Sequence, residues 1–165
     1  MIYHFWFVCF PDLSKPIGGV KQIHRCAEAL IELGFQATLI QQNRDFHPSW
    51  FQSFIPTISK DDWENLDNLK PDIDILILPE TFAPIFLSYC PNLRKIIFNQ
   101  NGSYSFGLPS VTPSINPSGV LEKYTHPSII QCWCVSEYDY RLLTFGFGIP
   151  VDKVFLLSNA MDVCS

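Results

Sequence analysis

Short apolar runs alternate with amphipathic stretches along this chain. Residues 2–9, 36–40, 73–78, 95–99, 129–135 and 153–157 read as strands, several of them apolar at nearly every position. Strands covered on both faces have that pattern, as in a parallel sheet between two layers of helices. After the first run, Val20, Ile23, Ala27 and Leu30 recur at helical spacing. Lys21, Gln22, Arg25, Glu28 and Glu32 fall mostly on the other side, and Gly34 supplies a C-terminal stop. Further helices are predicted at "SKDDWENL", with Ser59 three residues before Asp62, and at "TFAPIFLSYC", with Pro84 in its first turn. Another is predicted at "SEYDYRLLTFG", where Ser136 is the N-cap and Gly146 lies near the end.

Strand, helix, strand, repeated with short joints, predicts an α/β fold: a doubly wound, mostly parallel sheet with helices on both faces. Ligands of such sheets sit at the carboxyl ends of the strands, near the topological switch point. The segments after Cys9, Leu78, Asn99 and Val135 are therefore where function is expected. One connection departs from the pattern. Residues 101–118, "NGSYSFGLPSVTPSINPS", show no helical or strand period, and Pro109, Pro113 and Pro117 are each followed by Ser. A structureless connection of that length is either functional or disordered, and its exit from a strand's carboxyl end favours function.

Composition narrows the class. Apolar residues make up 47% of the 165 positions and charged residues only 16%, against a usual charged share of about 25%. So apolar a chain is expected to cover part of its surface with another domain or with a second copy, as in a homodimer. The net charge of −5 comes without a basic block, which argues against nucleic acid or an anionic membrane as partner. The opening apolar run lacks a basic segment before it, and Pro11 and Asp12 cut it short, so it does not read as a signal peptide. No run approaches the roughly 20 apolar residues needed to span a bilayer. The six cysteines form no C-x-x-C pair and mostly sit inside apolar runs. Buried, reduced thiols in the cytoplasm are the expectation, and Cys132 and Cys134 read as packing residues rather than metal ligands.

Taken in order, the landmarks resemble the amino-terminal domain of the glycosyltransferase group 1 superfamily (GT-B type). "PIGGVKQIHRCAEALIELGFQATLI" is similar to that family's first loop, first helix and second strand. "DILILPE", "WCVSEYDYRLL" and "KVFLLSNAMD" are similar to its fourth strand, a later helix entry and the end of its first domain. Two departures stand out. Asn159-Ala160 occupies the place of the usual Asn-Gly, and Leu78-Pro79-Glu80 the neighbourhood where many relatives carry a His. The resemblance implies the acceptor-side half of an enzyme that moves a sugar from a nucleotide-sugar donor to a carbohydrate or lipid-linked acceptor, with retention at the anomeric carbon. It also implies a second, C-terminal domain that holds most of the donor. A cytoplasmic location follows, with the inner membrane face in reach for a lipid-linked acceptor. The alternative is a stand-alone Rossmann-like binding or interaction module without turnover.

Candidate ligand-binding residues are Gly18, Gly19, Lys21, Glu80, Asn99, Gln100, Asn101 and Ser136. No catalytic residue is assigned, and neither a metal nor a cofactor is expected. Gly18 and Gly19 either make a tight strand-to-helix turn or clear space for a ligand's phosphate at the helix N-terminus. Lys21 and Arg25, basic residues opposed to the helix dipole, tilt this toward a ligand. Glu80 either accepts hydrogen bonds from sugar hydroxyls or simply opens a helix. Asn99, Gln100 and Asn101 are amides able both to donate and to accept, as polyol recognition or chain turning requires. His24 borders the apolar helix face and reads as a packed histidine.

Overall fold

A computed structural model of the chain describes residues 2–106 and 117–157, the side chains of residues 117–119 excepted. Much of the long Pro-Ser connection, the "SNAMD" ending and Cys164 lie outside the described residues. Seven strands follow the order β3-β2-β1-β4-β5-β6-β7. They are β1 His4–Val8, β2 Gln36–Gln41, β3 Thr57–Ser59, β4 Asp74–Pro79, β5 Arg94–Asn99, β6 Ile129–Cys134 and β7 Val154–Leu156. The pairs β1–β2, β1–β4, β2–β3, β5–β6 and β6–β7 are all parallel. This is the doubly wound, Rossmann-like order, with its topological switch at β1, from which the chain is laid down first to one side and then to the other. Every residue of β4 is buried, as are all of β1 and β5 after their first residues. Neighbouring side chains point to opposite faces, so both faces of these strands are covered.

The chain forms two compact units. The first comprises residues 1–77 with Asn92–Arg94. Helix α1, Gly18–Glu32, buries Ile23, His24 and Ala27. It stops at Gly34, whose φ of +87° no β-carbon favours. Gly34 N–H donates to the Ile31 carbonyl and Phe35 N–H to that of Leu30, closing the predicted glycine cap. The start of β1 is pinned by polar side chains. Trp6 Nε1 donates to Asp74 Oδ1 at 2.8 Å, and His4 Nε2 lies 2.9 Å from Thr38 Oγ1. At its far end, Asp12 accepts from the backbone N–H groups of Gln42 and Asn43, tying the segment after β1 to the segment after β2. Helix α2, Lys60–Glu64, opens as predicted on Ser59, whose Oγ accepts from Asp62 N–H.

The second unit comprises residues 78–91 and 95–165. Its helices are α3 Ala83–Phe86, α4 Pro117–Thr125 and α5 Glu137–Arg141, the last continuing as a wider π turn over Leu142–Gly146. A 3-10 turn, Gly102–Phe106, follows β5. Two expectations need correcting here. The helix predicted at "TFAPIFLSYC" spans only Ala83–Phe86. Cys90 takes a left-handed φ of 45° ahead of Pro91, and a residue before proline is driven out of helical geometry. The connection predicted to lack structure carries the 3-10 turn at one end and α4 at the other. No helix among the described residues is long and apolar enough to cross a membrane.

Candidate functional site

In the second unit, polar side chains collect where β4 and β5 end. Glu80 follows β4 directly and is 1% exposed. Its Oε1 accepts from two successive backbone N–H groups, Gln100 at 3.1 Å and Asn101 at 3.0 Å, just past β5. Lys123, on α4 and 3% exposed, donates from Nζ to the Glu80 carbonyl at 3.1 Å and to the Ser105 carbonyl at 2.7 Å. Tyr124 beside it has one hydroxyl proton to give. It donates to Asn99 Oδ1 at 2.5 Å and accepts from Ser105 Oγ, 3.0 Å away. Asn99, fully buried, turns its Nδ2 to the Trp133 carbonyl on β6.

Burial sets the electrostatics. Desolvation pushes Glu80 up to about 7, against the pull of its N–H donors and of the Lys123 charge. The same cause lowers Lys123 to about 8, with Glu80 opposing. Desolvation also raises the Tyr124 hydroxyl, so it stays protonated. A buried acid and a buried base that both change charge near neutrality are an arrangement functional sites favour.

Of the residues singled out from sequence, Glu80, Asn99, Gln100 and Asn101 are thus brought together. Asn99 spends both ends of its amide inside the fold, while Asn101 is exposed and turns Oδ1 back onto Ser103. Ser136 is the N-cap of α5: its Oγ accepts from Asp139 N–H and donates to Asp139 Oδ2. Lys123, Tyr124 and Ser105 were not foreseen. Their only local signal is the pair Val120 and Tyr124, four residues apart and both buried on α4.

Gly18, Gly19 and Lys21 belong to the first unit, on the opening turn of α1. Ile17 at the N-cap has an extended backbone and makes no side-chain cap, and the first turn holds no acidic residue. Gly18 is exposed; a β-carbon placed on it would meet nothing within 4 Å among the described residues, and its φ is not left-handed. Lys21 lines an open groove together with Arg25, Phe51, Gln52 and Phe54. His24 is fully buried, with Nδ1 2.7 Å from Ser53 Oγ and its ring edge against Phe51. Cys132 and Cys134 are buried in β6, and no group of three potential metal ligands exists among the described residues.

Fold and site together place the chain in the Rossmann-like α/β class. Compared with known proteins, it matches no family model, no curated protein and no solved structure.

Proposed function

We propose that this chain is the acceptor-side domain of a nucleotide-sugar-dependent glycosyltransferase, and that the opening turn of α1 receives an anionic group of its substrate. The observation that carries this reading is Gly18. A glycine is kept where the backbone needs positive φ or where a neighbour would meet a β-carbon. Gly18 has neither reason. What remains is clearance for something the described residues do not supply. Ile17 at the helix start beside it makes no side-chain cap and the first turn holds no acidic residue, which suits a phosphate at the positive end of the dipole. The Rossmann-like strand order supports the same reading, since the segment leaving β1 at the topological switch is where such folds take ligands.

A second, donor-holding domain and an acceptor glycan or lipid-linked sugar complete the proposed enzyme, at the cytoplasmic face of a membrane where the acceptor is lipid-linked. Leu33 and Phe54 in the first unit and Phe145 in the second, all largely exposed, supply apolar surface for that domain or for a second copy. The non-catalytic alternative draws support from the second unit, where Asn99 and Tyr124 are bonded wholly within the fold.

The test is an amide NMR titration of the chain with a panel of nucleoside-diphosphate sugars. Resonances of Gly18, Gly19 and Lys21 should shift with a dissociation constant no tighter than about 100 μM, roughly −5.5 kcal/mol, and Gly18→Val should abolish the shifts without unfolding the protein. Unmoved resonances at millimolar ligand would remove the α1 site from the proposal. Micromolar binding would remove the need for a second domain.

A further inference from the structure

One flank of α1 carries a charge order that its own helix opposes. Lys21, Arg25, Glu28 and Glu32 recur at i, i+4, i+7 and i+11, so they form a single stripe along the helix. The two bases come first and the two acids last. A helix dipole favours the reverse, yet α1 has no acid in its first turn and no base in its last. The stripe is one wall of an open groove in the first unit. Phe51 and Phe54, from the segment between β2 and β3, stand on the other. Apolar surface lies open there: Phe54 is 88% exposed, and Ile31, in the same groove, 40%. We infer that this flank of α1 is the contact face of a homodimer, in which α1 docks antiparallel against α1 of a second copy about a twofold axis.

The argument for a second copy is that the stripe complements itself. A twofold interface sets residue i against j and, on the other side of the axis, j against i. With the axis crossing α1 at the level between Cys26 and Ala27, Lys21 faces the partner's Glu32 and Arg25 faces the partner's Glu28. Both contacts share that one level, so a single register satisfies them all. Arg25 already pairs with Glu28 in its own chain, Nη1 to Oε2 at 2.9 Å. In the dimer two such pairs close into a ring of alternating charge across the axis. The order that opposes the dipole of one helix becomes favourable, because each basic half lies beside the acidic, dipole-negative end of its mate. A parallel arrangement would set base on base and acid on acid. Any other partner would carry the matching pattern by coincidence, whereas a second copy always carries it.

Exposed ion pairs contribute little to affinity and much to orientation and register. Phe54 and Ile31 supply the apolar burial. A contact of one helix and one loop is small, so the dimer is a weak, exchanging one. The inference concerns the flank of α1 and does not rest on the proposed reaction.

The experiment is sedimentation equilibrium of the full chain from about 1 to 500 μM. A dimer with a dissociation constant of about 10–100 μM is expected, weakening as salt screens the charges. Lys21→Glu alone, or Glu32→Lys alone, sets like charges opposite one another on both sides of the axis and should weaken association about tenfold or more. Mixed in equal amounts, the two variants present opposite charges at both contacts and should form a heterodimer of wild-type strength. Both changes agree with the helix dipole, so each monomer should stay folded, as circular dichroism checks. Phe54→Ser reads the same face without altering the helix and should weaken the dimer about tenfold. A chain that stays monomeric throughout, leaving the groove to another domain or to a ligand, would overturn the inference. So would a dimer indifferent to any one of these three variants, or a mixture that fails to reassociate.

Discussion

The two units bury ionisable groups in opposite ways. The first buries a base, His24, and surrounds it with Ser53, Phe51 and the apolar face of α1, leaving Nε2 without a hydrogen bond among the described residues. Desolvation, with help from His47, lowers it to about 4, so it is neutral whenever the protein is folded near neutrality. The second buries an acid and a base together and gives each backbone partners, so that both stay within reach of their protons. Burial alone discharges a group. Burial with well-placed partners holds it at the edge of discharge, where a small change in conditions can tip it.

Glu80→Ala should break this contrast most severely. It strips the Gln100 and Asn101 N–H groups of their acceptor inside the fold, at a cost of about 3 kcal/mol. In a chain of this size that lowers the melting temperature by roughly 6–12 °C, measured by thermal denaturation at pH 7.5. A loss below about 1 kcal/mol would mean that solvent reaches those amides easily.

Next comes pH, where the two buried groups oppose one another. Folded Glu80 keeps its proton up to about 7, whereas the unfolded chain loses it near 4.5, so this group subtracts stability as pH rises through that interval. Folded His24 refuses a proton down to about 4 that the unfolded chain accepts near 6.5, so this group adds stability as pH rises. Their contributions offset one another between pH 4.5 and 6.5. Glu80→Gln should expose the rising slope and His24→Leu the falling one, each amounting to about 2 kcal/mol across the interval. Chemical denaturation at several pH values reads both. Parallel slopes in the two variants would contradict the assignment.

The glycines sharpen the comparison on a smaller scale. Gly102, opening the 3-10 segment, is crowded: a β-carbon there would come within 2.7 Å of Asp139 Oδ1 and of the Tyr138 ring. Gly102→Ala should destabilise by about 1–2 kcal/mol. Gly18→Ala, in open space at a helix start, should stabilise by about 0.5 kcal/mol. Paired denaturation curves distinguish the two signs, and a loss of stability in Gly18→Ala would return that glycine to a folding role.

How much of this was legible in the sequence depended on range. The runs that became β1, β4 and β5 announce themselves because burial on both faces makes successive residues apolar, a local property. Ser59 and Ser136 were legible as caps because a cap and the N–H that donates to it sit three residues apart. β3 was not foreseen: three residues between Pro56 and Lys60 carry no periodicity of their own. α4 was hidden by Pro117 and Gly119 at its start. Glu80 drew notice from its place after a strand, but its partners did not. Lys123 stands 43 positions away, and a lysine between Glu122 and Tyr124 looks like any solvated charge until the fold closes over it.

The division of the chain also bears on how the protein is made. Pairings of β1 with β2 and β4, and of β2 with β3, use no residue beyond Ile77. A ribosome adding roughly 5–20 residues per second synthesises that much chain within about 4–15 s, and α/β pairing is generally faster than that. The switch strand β1 can thus find both neighbours before β5, β6 and β7 have emerged from the ribosome. Ordering of this kind shortens the time during which the apolar, two-sided β1 lies open to a wrong partner, whether on another nascent chain or later in its own.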